Sequence, residues 1–216
     1  MLWIRIVNAF TKITGYLPQR FCFRTKVHYE DKSKQSRKIK GPAIIISNHT
    51  SVYDYAVFLF VFFGRTLRYQ MAELLFKKKF LKHFLKSMGG IFVNRDTHDF
   101  SFITKSEEIL RSGGVVGIFP ESRLPKEGEP RPLDFKPSAA YLALSSGVPV
   151  IPVYTNGSYF KKKRAEVIIG KPIYAADLTL SEKTDKENIE EVSRALRQKI
   201  IELGETLDGR TKEKKG

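Results

Sequence analysis

The chain reads as an α/β protein: a largely parallel or mixed sheet flanked by helices, preceded by an amphipathic N-terminal helical segment. Three observations carry this. Short apolar runs of strand length, at 43–47 and 115–119 for example, alternate with stretches of helical spacing, as expected of strands joined by crossover helices. Residues able to do chemistry follow the strand-like runs, where open α/β sheets bind ligands. At 216 residues the chain can bury one substantial core. We divide it into an amphipathic membrane-docking region, 1–26, and a single α/β domain, 27–216.

Taken in order, residues 2–17 place Trp3, Ile6, Val7, Phe10, Ile13 and Leu17 at helical spacing, with Arg5, Asn8 and Lys12 elsewhere on the wheel and Arg20 and Arg24 following. Such a helix either packs on the core or lies in a lipid headgroup layer. Aromatic rings beside basic residues favour the second reading, which makes Trp3, Phe10 and Lys12 membrane-docking residues. Residues 19–29 are mixed and end in a short strand near Val27. Residues 31–40 form a charged surface turn. A strand at 43–47 precedes residues 52–63, which are apolar nearly all round and read as a helix buried by protein or by lipid. Residues 67–71 read as a strand. Residues 76–86 carry Phe80, Leu81, Phe84 and Leu85 as a stripe among lysines, a second docking surface through Phe80 and Phe84.

After Gly89-Gly90 comes a short strand, 91–93. A helix over 100–111 is closed by Gly113-Gly114, and a strand follows at 115–119. The loop 120–137 is proline-rich and charged. Pro137 opens a helix as its first residue, running over 138–145 to Gly147. Residues 150–154 and 166–169 read as strands. Thr184-Asp185-Lys186-Glu187 is a capping box for a last helix through Ile189, Val192, Leu196, Ile200 and Leu203. No repeat recurs at a fixed period.

The net charge of +15 asks for an anionic partner: nucleic acid, an anionic membrane surface, or acidic substrates. The basic clusters are interleaved with Phe and Leu at helical spacing, and no helix-turn-helix, RNP or zinc pattern is visible, so lipid is favoured over nucleic acid. The single cysteine, Cys22, excludes an internal disulfide. No Cys/His spacing suits zinc, so no metal is expected. This usage fits a reducing cytoplasm. The longest apolar run, 55–63, is well short of the ~20 residues of a spanning helix. The N-terminus lacks a signal-peptide pattern, so we expect a peripheral or monotopic protein on the cytoplasmic side of the membrane.

The chemistry concentrates in four segments at strand ends. Asn48-His49-Thr50-Ser51-Val52-Tyr53-Asp54 puts a histidine on the loop leaving a strand and an aspartate in the first turn of the next helix. The carboxylate can take the Nδ1 proton of the imidazole and leave Nε2 as a base. Arg95 ends the segment 90–95. Glu121, Ser122 and Arg123 follow Phe119-Pro120, and the fourth segment is the Val-Pro-Val-Ile-Pro-Val run, 148–153. The spacing of His49 and Asp54 alone also arises by chance, and a loop histidine that caps a helix is its plainer reading. A non-catalytic membrane scaffold leaves these segments without a role. His28, His83 and His98 have no evident partners and read as surface residues.

In this order, Asn-His-x-Ser-x-x-Asp, Gly-x-Ile-x-Val-x-Arg, Phe-Pro-Glu and Val-Pro-x-x-Pro-Val resemble the glycerolipid acyltransferase family. The bacterial 1-acyl-sn-glycerol-3-phosphate acyltransferases resemble the chain most. The resemblance implies the glycerol-3-phosphate acyltransferase-like fold and transfer of a fatty acyl group from an acyl-CoA or acyl-carrier-protein thioester to the sn-2 hydroxyl of lysophosphatidate. No cofactor is implied. It also implies roles: His49 as general base, Asp54 as its orienting partner, Arg95 on the acceptor phosphate, Glu121 in acceptor binding, and Asn48, Ser51, Ser122 and Arg123 in the substrate site. Pro152 would help shape it. Another lysophospholipid or an aminolipid is the alternative acceptor. Two differences stand out: Ser122 replaces the family's glycine, and the arginine, Arg123, arrives one position early. We also expect backbone N–H groups near Val52 to hold an oxyanion.

Overall fold

A computed structural model describes residues 2–94, 99–160 and 164–213 of the chain. The elements run α1 (Leu2–Cys22), β1 (Lys26–Tyr29), β2 (Ala43–Ser47), α2 (Asp54–Val61), β3 (Leu67–Ala72), α3 (Lys79–Ser87), β4 (Ile91–Val93), α4 (Ser101–Arg111), β5 (Val115–Ile118), α5 (Pro137–Ser146), β6 (Val150–Thr155), β7 (Glu166–Ile169) and α6 (Asp185–Glu213). Glu73–Phe76 forms a 3-10 turn before α3. The seven strands order as β1-β7-β6-β2-β5-β3-β4. Every pairing is parallel except β6 with β7. The expected mixed sheet flanked by helices is therefore present.

β2 is central, between β5 and β6, and all five of its residues are buried. That position explains the unbroken apolar run, since a strand covered on both faces needs no polar alternation. Ala43 and Ile45 join one core layer with Val57, Phe58 and Val61 of α2. Ile44 and Ile46 join the other, with Ile109 and Leu110 of α4, Ala139 and Leu142 of α5, and Val192, Leu196 and Ile200 of α6. Each buried isoleucine contributes roughly 1.5–3 kcal/mol. Where β3 meets β5, the Tyr69 ring lies directly on Gly117, and any Cβ there would collide with it. The register sets Ile46 beside Ile118 and Ser47 beside Val153, so the carboxyl ends of β5, β2 and β6 open onto one crevice.

The caps follow the sequence. Pro137 begins α5. Thr184 and Glu187 exchange capping-box hydrogen bonds at the start of α6, with the Thr184 N–H donating to Glu187 Oε2 at 2.9 Å. Gly147 closes α5 at φ +63°. The apolar run 52–63 is helical only over α2. The helical stripe of Phe80, Leu81, Phe84 and Leu85 lies in α3, while Phe76 belongs to the preceding 3-10 turn and is buried in the core. His28, read as a surface residue, lies in β1 with its Nε2 3.7 Å from Glu166.

α1 is inverted in polarity. Its buried residues are Asn8 and Lys12, while Trp3, Ile6, Phe10, Ile13, Leu17 and Phe21 are exposed. Asn8 donates to the Met88 carbonyl at 3.0 Å. Lys12 donates to the carbonyls of Phe63 and Arg65 at 2.8 and 2.6 Å. Lys12 therefore corrects the expectation that it docks on a membrane: it is an internal strut, and the docking candidates on this helix are the apolar residues. On α3, Phe80 is 87% exposed and Phe84 is partly exposed. Among the described residues, no helix is long and apolar enough to cross a membrane.

Candidate active site

The site begins where β2 ends. Asn48 is buried, and its side chain behaves as one more backbone unit. Its Nδ2 donates to the Thr155 carbonyl at 2.8 Å and its Oδ1 accepts the Thr155 N–H at 2.9 Å. This clamps the loop to β6. The expectation that Asn48 binds substrate is corrected accordingly, because both ends of its amide are committed to backbone.

The chain then turns so that Asp54, the first residue of α2, faces back onto the loop. Asp54 is fully buried and both of its oxygens are surrounded by donors. Oδ2 takes the Thr50 N–H at 2.7 Å and the Ser51 N–H at 2.9 Å. Oδ1 takes the Thr50 hydroxyl at 2.8 Å and the Tyr159 hydroxyl at 2.7 Å. A buried carboxylate needs such satisfaction. His49 Nδ1 lies 2.8 Å from Oδ2. A carboxylate accepting that many bonds has only acceptor capacity left, so Nδ1 carries the hydrogen and Nε2 holds the lone pair. The imidazole stacks on Phe119, with centroids 4.2 Å apart and planes 15° apart. Its plane and tautomer are both fixed, and its side chain remains partly open to solvent.

Gly157 permits this packing. At φ +64° it faces Thr50 so closely that a Cβ would lie 2.6 Å from Oγ1. The backbone N–H groups of Thr50 and Ser51 go to Asp54, and that of Tyr53 goes to Ser51 Oγ at 3.2 Å. These three amides are committed within the turn, so they do not contribute to the oxyanion site expected near Val52. Ser51 serves the turn through both its N–H and its hydroxyl.

Glu121 follows β5 and is also buried. Oε1 accepts the His49 N–H at 2.7 Å and Oε2 accepts the Leu133 N–H at 2.8 Å. Burial raises its pKa, against the two backbone hydrogen bonds that lower it. Glu121 therefore joins the histidine loop to the loop 120–136, rather than presenting its carboxylate to an acceptor as expected. Arg197 of α6 secures the far end by donating to the carbonyls of Leu133 and Pro132 at 3.0 and 2.8 Å. Ser122 sits at φ +59°, a left-handed conformation that favours glycine. This is the backbone reason why a glycine suits that position. Arg123 forms a bidentate pair with Glu129 at 2.7 and 2.8 Å, which holds the Glu129 carboxyl down at about 2. Pro152 lies in β6 beside Ile46. Arg95 and His98 lie outside the described residues.

The structure thus gathers His49, Asp54 and Glu121 on one crevice, and it adds Thr50, Phe119 and Tyr159. No local pattern marks Tyr159, which is 105 residues from its partner. The arrangement supplies a base of fixed orientation, able to remove a proton from an alcohol or from water.

The acyltransferase family model matches residues 24–156, a span that includes every group just described except Gly157, Tyr159 and Arg197. The chain belongs to the acyltransferase family. It is 31% identical over 147 residues to the 1-acyl-sn-glycerol-3-phosphate acyltransferase of Bacillus subtilis, a match covering 66% of this chain and 71% of that one. It is 28% identical to the enzyme of the same name from Borreliella burgdorferi, covering 78% of this chain and 68% of the relative. The human 1-acyl-sn-glycerol-3-phosphate acyltransferase beta is 29% identical over 70% of this chain, which spans 56% of the human protein. The fold is like that of the 1-acyl-sn-glycerophosphate acyltransferase of Thermotoga maritima. That crystal structure matches at a TM-score of 0.60 with 21% identity, over 90% of this chain and 78% of the other. This acyltransferase is therefore an enzyme, and the crevice at His49 is its candidate active site.

Proposed function

We propose that the acyltransferase moves a fatty acyl group from an acyl-CoA or acyl-carrier-protein thioester to the sn-2 hydroxyl of 1-acyl-glycerol-3-phosphate, giving phosphatidate for phospholipid synthesis. The observation that carries this reading is the His49–Asp54 pair, whose hydrogen bonds leave Nε2 as the proton acceptor. Nε2 takes the hydroxyl proton as the alkoxide oxygen attacks the thioester carbonyl. The tetrahedral intermediate collapses with loss of the thiolate, and the proton held on Nε2 goes to that leaving sulfur. A thioester is already activated, so no covalent enzyme intermediate is required. The names of the relatives support lysophosphatidate as the acceptor.

Both substrates are amphiphiles, and the apolar outer face of α1 suits an enzyme that works at the cytoplasmic face of the membrane. Trp3 and Phe10 on α1, with Phe80 and Phe84 on the adjoining α3, are the docking residues in this reading. Such a face settles into the headgroup boundary without crossing the bilayer. The engagement of Arg123 by Glu129 supports a second reading, in which the acceptor is a lysophospholipid with a larger headgroup or an aminolipid.

The test is turnover by purified enzyme with acyl-CoA or acyl-carrier thioester and a panel of lysolipids, beside His49→Ala and Asp54→Asn. Lysophosphatidate should be the best acceptor, and each variant should lose about 10²–10⁴-fold in kcat. Equal turnover by wild type and His49→Ala would falsify the general-base role. A better rate with lysophosphatidylethanolamine would favour the second reading.

A further inference from the structure

The candidate active site occupies the carboxyl ends of β2 and β5. The opposite end of the sheet, at the amino ends of its strands, holds a different feature. Residues 64–66 lead into the amino end of β3, and residues 112–114 lead into that of β5. Between them, against the first turns of α1, lies a cavity of about 460 Å3. Its walls include Ile4, Arg5, Arg65, Thr66, Arg68 and Ser112, and no lining residue is acidic.

Two of the three guanidinium groups are held in place by backbone. Arg65 donates to the carbonyls of Ile39 and Gly113 at 3.1 and 2.7 Å. Arg68 donates through Nε to the Gly89 carbonyl at 2.7 Å. These carbonyls orient the planar forks without cancelling their charge. Burial lowers the pKa of both groups, and the charge of Arg5 lowers Arg65 further. Arg5 and Arg65 repel each other across this cavity, Arg68 adds a third positive group to its lining, and an anion there would relieve the repulsion. A guanidinium fork matches the oxygens of a phosphate better than any other common side chain does.

The position of the cavity points to the source of that phosphate. Arg5 belongs to α1, between the exposed Trp3 and Ile6. A helix with that outer face lies at headgroup depth, where lipid phosphates are found. A smaller space of about 220 Å3 continues past Arg5 and Arg65 to Lys12 and Phe63, giving room for the rest of a headgroup. We infer that the arginine cavity formed by Arg5, Arg65 and Arg68 binds the phosphate of an anionic phospholipid, separately from the acyl-transfer site, and so fixes how the enzyme sits on a membrane. This does not depend on which lysolipid is the acceptor.

The experiment measures binding of the full chain to vesicles of phosphatidylcholine, with and without phosphatidylglycerol, and follows thermal melting in inorganic phosphate alone. Arg5→Gln removes the cavity charge contributed by α1. Arg20→Gln removes the same charge from the last turn of the same helix. Arg5→Gln should weaken binding to phosphatidylglycerol vesicles about five- to tenfold, and Arg20→Gln by less than about twofold. Neither should change binding to phosphatidylcholine alone, and Arg5→Gln should keep its turnover of a water-soluble short-chain acceptor. Equal losses in the two variants would mean diffuse attraction and overturn the site. An Arg5-dependent rise in Tm with inorganic phosphate, without Arg5-dependent vesicle binding, would overturn the lipid assignment. Loss of short-chain turnover in Arg5→Gln would overturn its separation from the acyl-transfer site.

Discussion

The Tyr159 hydroxyl lies 2.7 Å from Asp54 Oδ1, on the side of the carboxylate away from His49. Burial and the charge of Asp54 push the Tyr159 pKa far above its usual range, so the hydroxyl keeps its proton and donates. Tyr159 is thus a positioning residue that holds Asp54 against His49. Tyr159→Phe should lower kcat about tenfold, the worth of one hydrogen bond to a charged group, with the acceptor KM unchanged. Steady-state kinetics with both substrates varied check this. A change confined to KM would show that Tyr159 acts on substrate instead.

Glu121 makes a sharper test, because direct acceptor binding and loop positioning predict different losses. Gln at this position keeps the shape but offers an NH2 where the Leu133 or His49 N–H needs an acceptor. One buried N–H then loses its partner, at a cost of about 1–3 kcal/mol. Glu121→Gln should therefore melt several degrees lower, with kcat reduced and both KM values nearly unchanged. Unchanged melting with a raised acceptor KM would restore the acceptor-binding role.

Much of the fold was legible in the sequence, for local reasons. The Ala-Ile-Ile-Ile-Ser run of β2 announces a strand buried on both faces. Thr184 with Glu187, Pro137 and Gly147 mark helix ends through bonds made within one turn. His49 and Asp54 were legible because their partnership spans only five positions. What stayed hidden depends on distant partners. The inward turn of Lys12 needs the carbonyls of Phe63 and Arg65. Asn48 pairs with Thr155, and Asp54 with Tyr159, across more than a hundred positions. The hydrophobic pattern of α1 reveals an apolar face but not which way it turns. Here the polar residues point inward.

Ser122 carries backbone strain that a glycine would remove. Its φ of +59° costs a non-glycine residue about 1–2 kcal/mol. Gly gives back part of that gain through greater freedom of the unfolded chain. Ser122→Gly should therefore stabilise the protein by about 0.5–1 kcal/mol, or roughly 2 °C in Tm for a chain of this size. Differential scanning calorimetry measures it. A lower Tm would mean that the serine side chain contributes more than its backbone costs.

Lys12 gives the protein a pH dependence in the alkaline range. Burial lowers its pKa from 10.5 to about 8, while the unfolded chain keeps the ordinary value. Below about 8 the ammonium is charged in both states, and the cost of desolvating it is felt in full. Between about 8 and 10.5 the unfolded state holds more protons than the folded one, so stability rises with pH across that window. The bonds to the Phe63 and Arg65 carbonyls favour the charged form and reduce the effect, which leaves about 1–3 kcal/mol in all. Lys12→Met cannot titrate. It should be less stable than wild type at neutral pH, because those carbonyls lose their donor, and the gap should widen as pH rises through the window. Urea melts of both proteins at matched ionic strength read this directly, and a gap that narrows with pH would reverse the assignment.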